Sequence, residues 1–106
     1  MFKITYGKGF HITFNNGITL STQFGYGNYC DNRMNSSTDP FPDNGKTSPV
    51  IECKNAEIAI WDRDDNWITQ DMFKDLNIDG CDDVLGWVTT DQWFKILEWC
   101  KNREEK

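Results

Sequence analysis

The strongest constraint on this chain is a two-residue alternation that runs three times through its first 24 residues. Phe2, Ile4 and Tyr6 alternate with Lys3 and Thr5. Phe10, Ile12 and Phe14 repeat the spacing, and Ile18, Leu20, Thr22 and Phe24 repeat it again. Successive side chains of a strand point to opposite faces, so this is the pattern of half-buried strands, each turning one face to a core. Gly7-Lys8-Gly9 separates the first two runs. Asn16-Gly17 separates the second pair with residues that accept the positive φ angles of a tight hairpin. The pattern predicts an antiparallel meander.

Strand character returns at Val50 to Cys53 and at Ala56 to Trp61, where Ile58 and Ile60 alternate with Glu57, Ala59 and Trp61. Arg63-Asp64-Asp65-Asn66 has the composition of a turn and predicts a further hairpin into Trp67 and Ile68. An acidic stretch from Asp71 to Asp83 leads to Trp87-Val88. Thr89, Thr90 and Asp91 are then good caps for a helix whose Trp93, Ile96, Leu97 and Cys100 share one face. The expected class is α+β: an antiparallel sheet of four to five strands, from the 2–24 meander and the 50–68 strands, with one C-terminal helix, 90–101, on a face. Trp93, Ile96 and Leu97 are expected to meet Ile12, Leu20 and Ile58. A chain of 106 residues suits one domain, 1–106, and its charged tail, 102–106, is expected to fray. Five Trp and seven Phe let a few large side chains build the core.

No run approaches the roughly 20 apolar residues of a membrane helix, and the N-terminus lacks the charged-then-apolar pattern of a secretory signal. These features predict a cytoplasmic protein with no membrane partner, in which Cys30, Cys53, Cys81 and Cys100 are reduced. The net charge of −6 argues against direct binding to nucleic acid, whose phosphates call for clustered Lys and Arg. Basic or neutral protein surfaces fit better as partners, although acidic charge also serves plain solubility.

Asp75-Leu76-Asn77-Ile78-Asp79-Gly80 is similar to the opening of an EF-hand calcium loop. Counted from Asp75, however, the twelfth position is Gly86 where a closing carboxylate belongs, and the eighth is Asp82 where an apolar residue belongs. The run reads as a solvated acidic turn, and no metal is expected there. Zinc is announced by closely spaced cysteine or histidine pairs, whereas successive cysteines here stand 23, 28 and 19 residues apart. Cys30 with His11 and Asp31 is the sole combination of thiol and imidazole, and no pair of carboxylates stands out by spacing. No catalytic set, enzyme activity or cofactor is therefore expected.

From residue 25 to residue 49 the chain is rich in Gly, Asn, Asp, Ser, Thr and Pro, a long polar loop of a kind that often carries function. Its opening, Gln23-Phe24-Gly25-Tyr26-Gly27-Asn28-Tyr29-Cys30-Asp31-Asn32-Arg33, is the most informative run in the chain. Tyr26 and Tyr29 offer stacking surfaces, and Asn28, Asp31, Asn32 and Arg33 offer directional polar groups, so these six are the candidate binding residues. The plainer reading is a strand exit in which the tyrosines cover the edge of the core and Arg33 pairs with Asp31.

The same run resembles small proteins of tailed bacteriophages and prophages that carry no assigned activity. The likeness covers Asn16-Gly17, Gln23 to Cys30, the Ala56-Glu57-Ile58-Ala59-Ile60-Trp61-Asp62 strand and the capped helix from Thr90. What it implies is context: a phage protein acting in the cytoplasm of the infected host, of the kind that counters bacterial defence, including CRISPR effectors. The expected function is a non-enzymatic inhibitor that docks its acidic surface and the 25–49 loop on a host protein, such as a nucleic-acid-binding defence effector. A small-molecule or nucleotide-signal binder is the alternative, with a small enzyme using Cys30 or a carboxylate pair third. A homodimer is compatible with either binding role.

Overall fold

The computed structural model describes residues 1–40 and 50–104. Five antiparallel strands form one sheet in sequence order: β1 (Phe2–Thr5), β2 (Gly9–Thr13), β3 (Thr19–Gln23), β4 (Asn55–Trp61) and β5 (Val84–Thr89). Two helices accompany them, α1 (Thr69–Asp75) and α2 (Thr90–Asn102), with a short 3₁₀ turn at Ser36–Thr38. The expected meander and C-terminal helix are present.

The turns follow from local chemistry. Tyr6 and Gly7 both take positive φ, 53° and 68°, and Lys8 N–H returns to Thr5 O at 3.2 Å, a tight left-handed turn inside the three-residue connection between the paired Thr5 and Gly9. The second hairpin is a three-residue loop, not the two-residue turn the sequence suggests. Gly17 alone is left-handed, at φ 85°, and Asn16 Oδ1 accepts the Ile18 N–H. Gly9 cannot be larger, since a Cβ there would lie 2.3 Å from the Thr22 carbonyl oxygen.

Cross-strand register places Phe2, Ile12, Leu20 and Ile60 in one row and Ile4, Phe10, Thr22 and Ile58 in the next, all on one face. Both helices pack on that face. Ile18, Leu20, Ile58, Ile60, Ile68, Met72, Phe73, Val88, Ile96 and Cys100 form the buried cluster, with Trp93 and Leu97 partly buried against it. The helix-on-sheet packing agrees with the sequence, with one shift: Ile96 and Cys100 are the fully buried positions of α2, while Ile12 is half-buried at the margin.

Three details differ from the sequence reading. Residues 50–53 are not a strand, and Trp67 makes only an isolated bridge to Trp61, so the fifth strand is not the 67–68 segment. It is β5, whose alternation is broken by a bulge at Gly86 and Trp87, between the Ala56–Val88 and Ile58–Leu85 pairs. The stretch that begins at Asp71 overlaps a second helix; α1 starts at Thr69, is two turns long and buries the adjacent Met72 and Phe73, too short a run to show a helical period. Arg103, just past the end of α2, makes contacts with both helices and the β2–β3 turn. Its guanidinium pairs with Asp71 at 2.9 Å and lies 4.8 Å over the Trp99 ring, and its carbonyl accepts Asn16 Nδ2 at 2.8 Å.

Candidate functional site

The loop leaving β3 is held by its own asparagines and by β4. Asn28 Oδ1 accepts Gly25 N–H, and Asn28 N–H donates to Gly25 O, closing a tight turn. Asn32 is buried and donates through Nδ2 to Phe24 O and Glu52 O, both at 2.8 Å. Asn55 Oδ1 accepts Asp31 N–H, and Glu57 Oε2 accepts Tyr29 N–H. The polar groups expected from Asn28 and Asn32 are thus spent inside the loop, where they set its shape. The part of the expected loop from 41 to 49 lies outside the described residues.

What this frame presents is an aromatic and cationic ledge. The Tyr29 ring stacks on Trp87, with centroids 6.1 Å apart and planes 21° from parallel, and the Arg33 guanidinium carbon sits 4.8 Å from the Tyr29 centroid. Tyr29, Arg33 and Trp87 are all exposed, as are Tyr26 and Asp31 nearby in the loop. Trp87 was not singled out by the sequence. It occupies the β5 bulge at φ 50°, a region costly for a side chain of its size, and its N–H donates to Tyr29 O at 2.8 Å. Gly86 next to it lets the loop approach, since a Cβ there would lie 2.7 Å from Tyr29 Cβ. Arg33 lies against Tyr29 in a cation–π contact, and Tyr26 anchors the loop through its carbonyl, which accepts Lys8 Nζ at 2.8 Å.

Cys30, His11, Asp62 and Asp75 each make contacts within the fold. Burial pushes the Cys30 thiol up to about 11, with Cys53 and Glu57 beside it adding to the rise, so it is a protonated thiol at neutral pH, donating weakly to Gly25 O. His11 packs edge-on against Trp61 at 4.9 Å, and burial, then Lys3, lower its pKa. Asp62 accepts the backbone N–H groups of Asp64 and Asn66, and the bond from Asn66 leads in holding its carboxyl below the usual value. In the acidic turn, Asn77 is left-handed at φ 55°, Ile78 N–H returns to Phe73 O, and Gly80 abuts the Phe73 ring, which is how α1 stops. The Asp75 carboxylate accepts Trp99 Nε1–H. Among the described residues no three His, Cys, Asp or Glu side chains converge as metal ligands.

No family, curated protein or solved structure matches this chain. Among the described residues no helix is long and apolar enough to cross a membrane.

Proposed function

We propose that this chain is a non-enzymatic binding protein that docks on a host protein through the Arg33–Tyr29–Trp87 ledge, with Tyr26 and Asp31 at its margin. The observation that carries this reading is the exposed stack itself. Three residues of the types that dominate protein interfaces stand together on a frame of hydrogen bonds, one of them held in a strained backbone conformation. A preorganised ledge loses little side-chain freedom on docking. The net charge of −6 favours a basic partner face and speeds encounter with it. The resemblance to small phage proteins points to a bacterial defence factor, including a CRISPR effector, as the class of target, met in the host cytoplasm.

A nucleotide binder is supported less well, because the Tyr29 ring that would stack on a base is already engaged by Arg33 and Trp87. An enzyme acting through Cys30 is disfavoured by the raised pKa of that thiol. The test is affinity capture from bacterial lysate with the wild-type chain, a Tyr29→Ala/Arg33→Ala variant and an Asp79→Ala/Asp82→Ala variant, read by mass spectrometry. Proteins retained by the wild type and the acidic-turn variant but lost from the ledge variant are expected, with retention weakening as salt rises. Equal capture by the ledge variant would refute the assignment.

A further inference from the structure

Among the described residues, the apolar face of the sheet is not covered along its whole width. The reach of α2 toward the first strands is marked by Trp93, which meets Phe10 edge-on at 6.2 Å. Beyond it, Phe2 and Ile4 of β1 are 83% and 84% exposed, although their register places them in the rows of Leu20 and Ile58. β1 is also the terminal strand. Met1 and Thr13 exchange both backbone hydrogen bonds, at 2.6 and 2.8 Å. Antiparallel alternation then turns the N–H and C=O of Lys3 and Thr5 toward β2, and those of Phe2 and Ile4 toward the open edge. The two exposed apolar side chains therefore belong to the residues whose backbone groups await a neighbouring strand.

The opposite edge is built differently. β5 carries the bulge, Trp87 is left-handed, and its N–H is committed to Tyr29 O, all features that discourage strand addition. Charge separates the two edges as well. The first thirty residues contain Lys3 and Lys8 and no carboxylate side chain, so all 17 Asp and Glu lie from Asp31 onward. β1 itself carries no carboxylate, so two β1 edges meet without acidic repulsion between their own side chains.

We propose that β1 is a two-fold interface with a second copy of this chain, joining two five-stranded sheets into one of ten strands. A two-fold axis normal to the sheet keeps both apolar faces on the same side. Ile4 then stands opposite the second copy's Ile4 as a hydrogen-bonded pair, Phe2 lies diagonal to it, and Lys3 stands opposite the second copy's Thr5. The register displaced by two residues sets Lys3 against its own symmetry mate, which like charge disfavours. The edge is thus self-complementary: it supplies an apolar row of matching length and avoids a charge clash, as a closed isologous contact requires.

Sedimentation of the full chain across a concentration series is expected to show a monomer–dimer equilibrium. Ile4→Lys should shift it to monomer, weakening association more than tenfold, with circular dichroism unchanged because the side chain is exposed. In a Cys81→Ser background, which removes the exposed thiol, Ile4→Cys should form an intermolecular disulfide with oxidised glutathione, since a hydrogen-bonded antiparallel pair sets Cα atoms about 5.5 Å apart. Lys3→Cys should not, because its symmetry mate lies beyond the roughly 7 Å that a disulfide spans. Mass that stays at one chain throughout would leave the edge to a foreign strand and overturn the proposal. So would a dimer that survives Ile4→Lys, or crosslinking that favours Lys3→Cys. No host protein enters these measurements, so their failure leaves the ledge reading standing.

Discussion

Asn16 and Cys100 are 84 residues apart in sequence and joined by a hydrogen bond, Nδ2 donating to the Cys100 carbonyl at 2.8 Å. The same amide reaches Arg103 O at 2.8 Å, while Oδ1 accepts the Ile18 N–H. One side chain thus shapes the β2–β3 turn and closes the C-terminal end of α2, whose last carbonyls have no partner within the helix. Asn16→Ala is expected to cost roughly 1–2 kcal/mol in denaturant unfolding. Amide exchange should quicken in the last turn of α2, and an unchanged exchange rate there would show that the cap is idle.

Ile96 is the deepest apolar side chain of α2, fully buried among Leu20, Ile58 and Val88. Ile96→Ala is expected to cost about 2–5 kcal/mol, and Leu97→Ala clearly less, since Leu97 keeps part of its surface in water. Urea unfolding of both variants tests the ranking. A loss below about half a kcal/mol for Ile96→Ala is incompatible with the packing described.

Trp87 combines a strained backbone with a side chain on the ledge, so stability and binding should part company there. Trp87→Gly is expected to be more stable than Trp87→Ala by about 1 kcal/mol, because only glycine takes positive φ without cost. Both should lose the partner captured by the wild type. Alanine equal to glycine in thermal unfolding would remove the strain from the account.

Burial raises two thiols, Cys100 to about 12 and Cys30 to about 11, above an ordinary value of 9.0. Between pH 9 and the folded values the unfolded chain sheds these protons while the folded chain holds them. Their contribution is therefore complete below pH 9 and declines as pH rises through the folded values. The unfolding midpoint should fall from pH 8.5 toward pH 11, less steeply in Cys100→Ala than in the wild type. At pH 8, iodoacetamide should label exposed Cys81 first, and Cys30 and Cys100 only after denaturant is added.

The parts of the fold legible in the sequence were those that repeat a period over several residues. The 2–24 alternation survives as three paired strands, and Trp93, Ile96 and Cys100 survive as a helix face because thirteen residues give the period room to show. The two missed elements fail for physical reasons. α1 is seven residues long, and β5 inserts Gly86 and a left-handed Trp87 into its own alternation. Val50 to Cys53 carries the right residue types, yet it lies outside the sheet. Of the candidate site, Tyr29 and Arg33 were visible by type and proximity in sequence. Trp87 was not, because it reaches Tyr29 across 58 residues through a bulge that only the pairing of β4 with β5 creates.

Thr89 ends β5 and also caps α2, its Oγ1 accepting the Gln92 N–H, so no linker separates strand from helix. A joint without slack acts as a lever. The strand that presents Trp87 runs through that joint into the helix whose Trp93 Nε1 donates to Thr22 Oγ1 at 2.8 Å. A partner docked on the ledge as proposed is therefore expected to change the emission of Trp93, an indole outside the ledge.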